Sequence, residues 1–154
     1  MEELVTKFYT AFANHDTETM VSCYHKDVIF EDPAFGVLKG ERAKDMWRML
    51  SASQKGKEFK ISFSNVESHE NRCSANWEAV YHFSKTGRKV HNKISAQFEF
   101  KDGLIIKHTD TFNLHKWASQ AMGFKGWLIG GTSFFQKKLQ KQTNALLDKF
   151  EKKY

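Results

Sequence analysis

Four successive runs between residues 59 and 112 alternate apolar and polar side chains with a period of two, and no other feature restricts the fold so tightly. Phe59, Ile61 and Phe63 alternate with Lys60, Ser62 and Ser64. Cys73, Ala75, Trp77, Ala79, Tyr81 and Phe83 form a second series. Val90, Asn92, Ile94, Ala96, Phe98 and Phe100 stand against His91, Lys93, Ser95, Gln97 and Glu99 in a third. Leu104 to Phe112 is the fourth. Successive residues of a strand point to opposite faces, so each run predicts a strand with one buried side. Asn71, Lys85-Thr86-Gly87-Arg88 and Lys101-Asp102-Gly103 separate the runs with turn residues. The outcome is an antiparallel meander whose apolar face must be covered.

The N-terminal third supplies the cover. Leu4, Val5, Phe8, Ala11 and Phe12 fall on one face of a predicted helix from Glu2 to Asn14. Asp16 caps a short second helix through about Tyr24. Val28 to Asp32 reads as a strand, and Gly36 and Gly40 bracket a loop. A third helix runs from Gly40 to Ser53 with Met46, Trp47 and Leu50 inward. Helices before a meander predict an α+β layout: N-terminal helices packed on a strongly curved, mostly antiparallel sheet, a cone-shaped α+β barrel. Asn113 can cap a further helix carrying Trp117, Ala118 and Met122. Gly123, Gly126, Gly130 and Gly131 then loosen the chain. Trp127-Leu128-Ile129 between them is too apolar for a solvated loop and should be buried on the body or on a partner chain. Ser133 and Gln136 form a capping-box pair opening a final helix to about Phe150. The expected division is a cone domain over 1–122 and a helical extension over 123–154.

Composition narrows the class. The 154 residues make one ordinary domain. An aromatic content of 14% suggests a core or cavity walled by rings. No apolar run is long enough for a membrane span, and the acidic, amphipathic N-terminus is no signal peptide. Cys23 and Cys73 are too few for a disulfide framework or a zinc site, so a cytoplasmic setting is expected. The net charge is +6, and six lysines against Asp148 and Glu151 place four of those charges after Gly126. The plain reading is a solvated helix face; nucleic acid is not expected, and an interaction module built on this helix stays as an alternative.

The stretch VIFEDPAFG, Val28 to Gly36, holds the only proline and carries the chemistry. A strand ending in Asp32, flanked by Phe30 and Phe35, can hold a carboxylate beside apolar surface, where its pKa rises and a general base can form. On the last strand His108, Asp110 and Phe112 share a face with Leu104 and Ile106, which points the histidine and the acid inward. Asp32 and Asp110 can then flank a bound molecule. Asn92 lies on an apolar face and needs a partner. His91 belongs to the outward face unless a bulge turns it. Phe30, Trp47, Tyr81, Phe98, Phe112 and Trp117 pack a core or line a pocket. No metal-ligand spacing and no cofactor motif appears, so no cofactor is expected.

Asn14-His15-Asp16 after the first helix, VIFEDPAFG, Gly40 opening the third helix, and the hairpins at Thr86-Gly87 and Asp102-Gly103 resemble the nuclear transport factor 2-like superfamily in its SnoaL-like and ketosteroid-isomerase-like branch. The resemblance covers about residues 1 to 118, and the tail after Gly123 looks like an extension seen in bacterial SnoaL-like proteins. It implies a cone-shaped pocket, a homodimer, a small apolar or aromatic ligand, and one of several activities: isomerisation, ring closure, dehydration, epoxide opening or plain binding. In the isomerases the base is the Asp of the Glu-Asp-Pro triplet, which lands on Asp32. Their oxyanion tyrosine lands on Phe8, with Tyr9 pointing about 100° away, and their protonated acid lands near Ala96 (that enzyme is a worked example of pKa tuning). The expected function is therefore a small-molecule pocket, either a cofactor-free acid/base enzyme using Asp32 with Asp110, His108 or His91, or a binding protein without chemistry.

Overall fold

The computed structural model of the chain describes residues 1–153. Tyr154, the last residue of the expected C-terminal unit, lies outside them. Helices α1 (Glu2–Ala13) and α2 (Thr17–Ser22) lead into strands β1 (Tyr24–Asp32) and β2 (Gly36–Lys39). Helix α3 (Glu41–Ser53) follows, then β3 (Phe59–His69), β4 (Arg72–His82), β5 (Lys89–Lys101) and β6 (Leu104–Thr111). The chain ends in α4 (Leu114–Met122), α5 (Phe124–Ile129) and α6 (Ser133–Lys153). One six-stranded sheet has the order β2-β1-β6-β5-β4-β3, with β1–β6 the parallel pair and the other pairs antiparallel. The sheet is curved and unclosed, and helices line its concave face. The α+β cone read from the alternating runs is the fold observed.

Three bulges depart from strict alternation. In β3, Ser64 pairs with Asn76 and Glu67 with Ser74, so two residues stand against one, and Asn65 takes φ 55° there. In β6, Phe100 pairs with Ile105 but Glu99 with Lys107. Ile106 is therefore extra, and the phase of the strand slips at that point. Ile105 becomes the fully buried residue, in place of the expected Leu104 and Ile106, while His108 and Asp110 keep their inward positions. In β1 the register shifts between Tyr24 and Ile29.

Other boundaries moved for identifiable reasons. Helix α2 stops at Ser22 because the Ile105 N–H takes the Cys23 carbonyl at 2.9 Å, which converts Tyr24 from the end of a helix to the start of a strand. The loop expected between Gly36 and Gly40 is the short strand β2, paired to β1 from Ile29↔Lys39 to Asp32↔Gly36. The glycine-rich segment after α4 contains helix α5. A Cβ at Gly126 would collide with the Ala118 carbonyl, so these glycines let α5 press on α4. The expected burial of Trp127-Leu128-Ile129 on the body holds for Ile129, which packs against the cluster around Trp117, while Trp127 and Leu128 are exposed.

The main core lies between α1, α3 and the concave sheet face, with Phe8, Phe12, Met46, Trp47, Trp77 and Phe98 at its centre and Leu147 of α6 joining it. A smaller cluster gathers Val90, Trp117, Ala118, Ala121 and Phe135. Helix α6 straps across the β1–β2 turn. Gln136 and Gln140 donate to the Pro33 carbonyl, Thr143 Oγ1 to Ala34 and Asn144 Nδ2 to Phe35. Arg42 of α3 pairs with Asp148 and Glu151 of the same helix.

Candidate functional site

Parallel pairing of β1 with β6 sets Phe30 beside His108 and brings the start and the end of β1 to the last strand. A polar network follows, sunk in aromatic surroundings. Trp47 Nε1 donates to the Tyr24 hydroxyl at 2.9 Å. That hydroxyl lies 2.7 Å from His108 Nδ1. His108 Nε2 lies 2.8 Å from Asp110 Oδ1, which also accepts from Trp77 Nε1 at 3.3 Å. Asp110 Oδ1 accepts, which places a proton on Nε2, and with the Tyr24 oxygen accepting from Trp47 the Tyr24 proton is assigned to Nδ1. His108 is then assigned as the Nε2–H tautomer, donating to Asp110. Every polar atom of the imidazole is satisfied, as burial of a polar group requires.

Rings close around this network. His108 is 0% exposed and meets Phe8, Phe30, Trp47 and Phe98, with Phe98 nearest at a centroid distance of 4.4 Å. An open hollow at this point was the expectation; side chains fill the space around the imidazole instead. A surface cleft of about 1060 Å³ is lined by residues of α2, α3 and the end of α6, and it includes none of Asp32, His108 and Asp110.

Asp32 ends β1 at the edge of this interior. Its Oδ1 accepts from the backbone N–H groups of Ala34 at 2.9 Å and Phe35 at 2.6 Å, an Asx turn closed under α6. Part of the side chain still reaches solvent, yet protein surrounds the carboxyl closely. Burial raises its pKa to about 7, the two amides pull it down, and the charge of Asp110 adds to the rise. Among the described residues Oδ2 makes no hydrogen bond.

Tyr9 does not point away from the interior as helix geometry alone predicts. It is as fully buried as Phe8, because the curved sheet wraps α1 on two sides. Phe8 turns toward Tyr24 and His108, and Tyr9 toward Phe63 and Trp77. Its buried hydroxyl has no hydrogen-bond partner among the described residues. Burial pushes its pKa well up, with the Asp110 charge adding to this, so the hydroxyl keeps its proton and stays a donor.

The remaining candidates separate into two places. Phe30, Trp47 and Phe98 enclose His108. Trp117 belongs to the second cluster, and its Nε1 donates at 2.8 Å to the hydroxyl of Tyr81, which packs against both clusters. Phe112 packs against both clusters. Asn92 is half-buried opposite Ala79 and makes no hydrogen bond to Asp110. His91 faces outward, as its place in the alternation predicts, and pairs with Glu78 at 2.6 Å on the side of the sheet away from Asp110. Tyr24 and Trp77, whose polar atoms complete the network, carry no signal for this role in the sequence. Among the described residues no cluster of His, Cys, Asp and Glu could hold a metal ion.

The SnoaL-like domain model matches residues 5–108, more than half of the chain. The chain belongs to the SnoaL-like family. None of the curated proteins is a match to this SnoaL-like sequence. Among solved structures it is similar to an LEH-like epoxide hydrolase of M. tuberculosis, with 21% identity, a TM-score of 0.60, and coverage of 83% of this chain and 89% of that one. A provisionally named polyketide cyclase from Xanthomonas campestris pv. campestris shows 20% identity and a TM-score of 0.61, over 77% of this chain and 93% of that one. An NTF2-like protein of unknown function from Burkholderia pseudomallei reaches a TM-score of 0.66 at 15% identity, over 78% and 95%. At such identities the likeness is one of fold. The SnoaL-like assignment therefore leaves the chemistry to the side chains described above.

Proposed function

We propose that this SnoaL-like protein is a cofactor-free acid/base enzyme acting on a small apolar, ring-sized ligand, with Asp32 as the general base. The observation that carries the reading is the Asp32 carboxyl: one oxygen fixed by two backbone amides, the other unbonded, and a pKa of about 7. A base with that value is half ionised near neutrality, where proton abstraction is most effective. The Tyr9 hydroxyl, an unpartnered donor within reach of the Asp110 charge, is suited to a developing oxyanion. Asp110 stands directly across the β5–β6 pair from Ala96, so a carboxyl reaches that region from the neighbouring strand. His108 and Tyr24 act as positioning residues for Asp110.

In the reaction, a C–H bond next to a carbonyl breaks. Its proton passes to Asp32 Oδ2 and its electron pair moves to the carbonyl oxygen, which the Tyr9 hydroxyl stabilises. Return of the proton at the same or another carbon completes exchange or isomerisation.

The test is deuterium incorporation beside the carbonyl of cyclic ketones such as 2-tetralone, followed by NMR in D₂O. The native chain should exceed the buffer rate. Asp32→Asn should lose roughly 100-fold or more, and Tyr9→Phe roughly 100-fold. Exchange at the buffer rate for every ketone would reject proton abstraction. A second reading, a binding protein without chemistry, is favoured by Phe8 and Ala96 standing where the resemblance would place oxyanion donors. It predicts ketone binding in ligand-observed NMR with no exchange.

A further inference from the structure

Between Asp110 and Asp148 the chain carries five lysines and no carboxylate. All five, Lys116, Lys125, Lys137, Lys138 and Lys141, are exposed. The same segment holds four large exposed apolar side chains: Phe124 at 75%, Trp127 at 56%, Leu128 at 62% and Phe134 at 72%. Isolated exposed apolar residues are ordinary, but four within eleven positions of one segment are a concentration that calls for a partner. The Phe124 and Trp127 rings stack at 5.9 Å, so they project as one surface. On α6, Phe134, Lys137, Lys138 and Lys141 follow i, i+3, i+4, i+7 spacing and share one face. Gln136, Gln140, Thr143 and Asn144 instead hold the β1–β2 turn, so the body occupies that side of the helix.

The platform is held in place. Gly126 and Gly130 seat α5 tightly on Ala118 of α4, and the His115 side chain bonds the Trp127 carbonyl at 2.6 Å. The aromatic patch is thus a fixed part of the surface rather than a frayed end.

We propose that this face docks on an anionic lipid surface. Phe124, Trp127, Leu128 and Phe134 enter the headgroup layer, and Lys125, Lys137, Lys138 and Lys141 pair with lipid phosphates. Charge complementarity selects this occupant. A symmetric contact with a second copy would press lysines against lysines with no carboxylate in the segment to pair them. A nucleic acid would engage the lysines but leave the apolar side chains in water. No described helix is long and apolar enough to cross a membrane, so the contact is peripheral. The inference is independent of the acid/base reading.

The test is flotation of the full chain with phosphatidylcholine vesicles, with and without phosphatidylserine. Tryptophan emission is read alongside, because Trp127 is exposed while Trp47, Trp77 and Trp117 are buried. Flotation with the anionic vesicles only, weakening as salt is added and accompanied by a blue shift, is the expected result. Lys137→Glu with Lys138→Glu, and separately Phe124→Ser with Trp127→Ser, should each weaken binding by roughly tenfold or more, with the far-UV circular dichroism unchanged. The proposal is overturned by an absence of flotation at low salt or by binding indifferent to both variants. It is also overturned if the serine variants only convert a dimer to a monomer in sedimentation.

Discussion

The Tyr24 hydroxyl and the His108 imidazole, 84 positions apart in sequence, meet at 2.7 Å on the concave face of the sheet. Tyr24 is the hinge of the network, accepting from Trp47 and donating to His108. Tyr24→Phe strands one donor and one acceptor where neither can reach water. A loss of about 2–4 kcal/mol is expected in urea unfolding. In the native chain, ¹⁵N spectra should show His108 protonated at Nε2 and unprotonated at Nδ1.

Asp32 should make stability depend on pH in a direction unusual for a carboxylate. Its folded-state pKa, about 7, lies above its ordinary value of 3.8. The folded chain therefore keeps a proton that the unfolded chain releases, and stability falls as pH rises through that window, then levels off above it. Asp32→Asn retains the oxygen that accepts from Ala34 and Phe35 but carries no charge to desolvate. Thermal unfolding should show Asp32→Asn equal to the native chain near pH 4 and more stable by on the order of 2–4 kcal/mol near pH 8.

The strap of α6 over the β1–β2 turn can be loosened without touching Asp32. Thr143→Ala with Asn144→Ala removes the bonds to the Ala34 and Phe35 carbonyls. A cost of about 1–2 kcal/mol is expected. Hydrogen exchange should quicken at the Ala34 and Phe35 amides, which hold the Asp32 carboxylate, and stay unchanged in β4 and β5.

Gly126→Ala should be poorly tolerated, because its methyl would press on the Ala118 carbonyl, a backbone atom that cannot swing away. A loss of about 1–3 kcal/mol in urea unfolding is expected. Gly87→Ala should not collide, since nothing lies within 4 Å of that Cβ, and its cost comes from its φ of 72° alone.

Much of the architecture was legible because alternation over β3 to β6 is long enough to survive two bulges. What escaped were local choices decided by pairing. Tyr24 fits a helical spacing with Met20 and Val21, and only the bond between Ile105 and Cys23 makes it a strand residue. The bulge at Ile106 exchanges Ile105 for its neighbours while preserving His108 and Asp110. Adjacent helical residues point about 100° apart, which alone would turn Tyr9 away from the face of Phe8. A concave sheet covers a wider arc than that, so both Phe8 and Tyr9 are buried. Trp77 was in phase to point inward, but its bond to Asp110 depends on strand register, which periodicity does not specify. Asp32 was legible as a carboxylate at an apolar strand end; the amides that hold it come from a turn closed by a helix a hundred residues later.

A ¹³C NMR titration of the Asp32 side-chain carbon shows whether this carboxyl is poised for proton transfer. A midpoint near 7 that falls in Asp110→Asn is expected, since the Asp110 charge contributes to the rise. A midpoint near the ordinary 3.8, indifferent to Asp110, would contradict it.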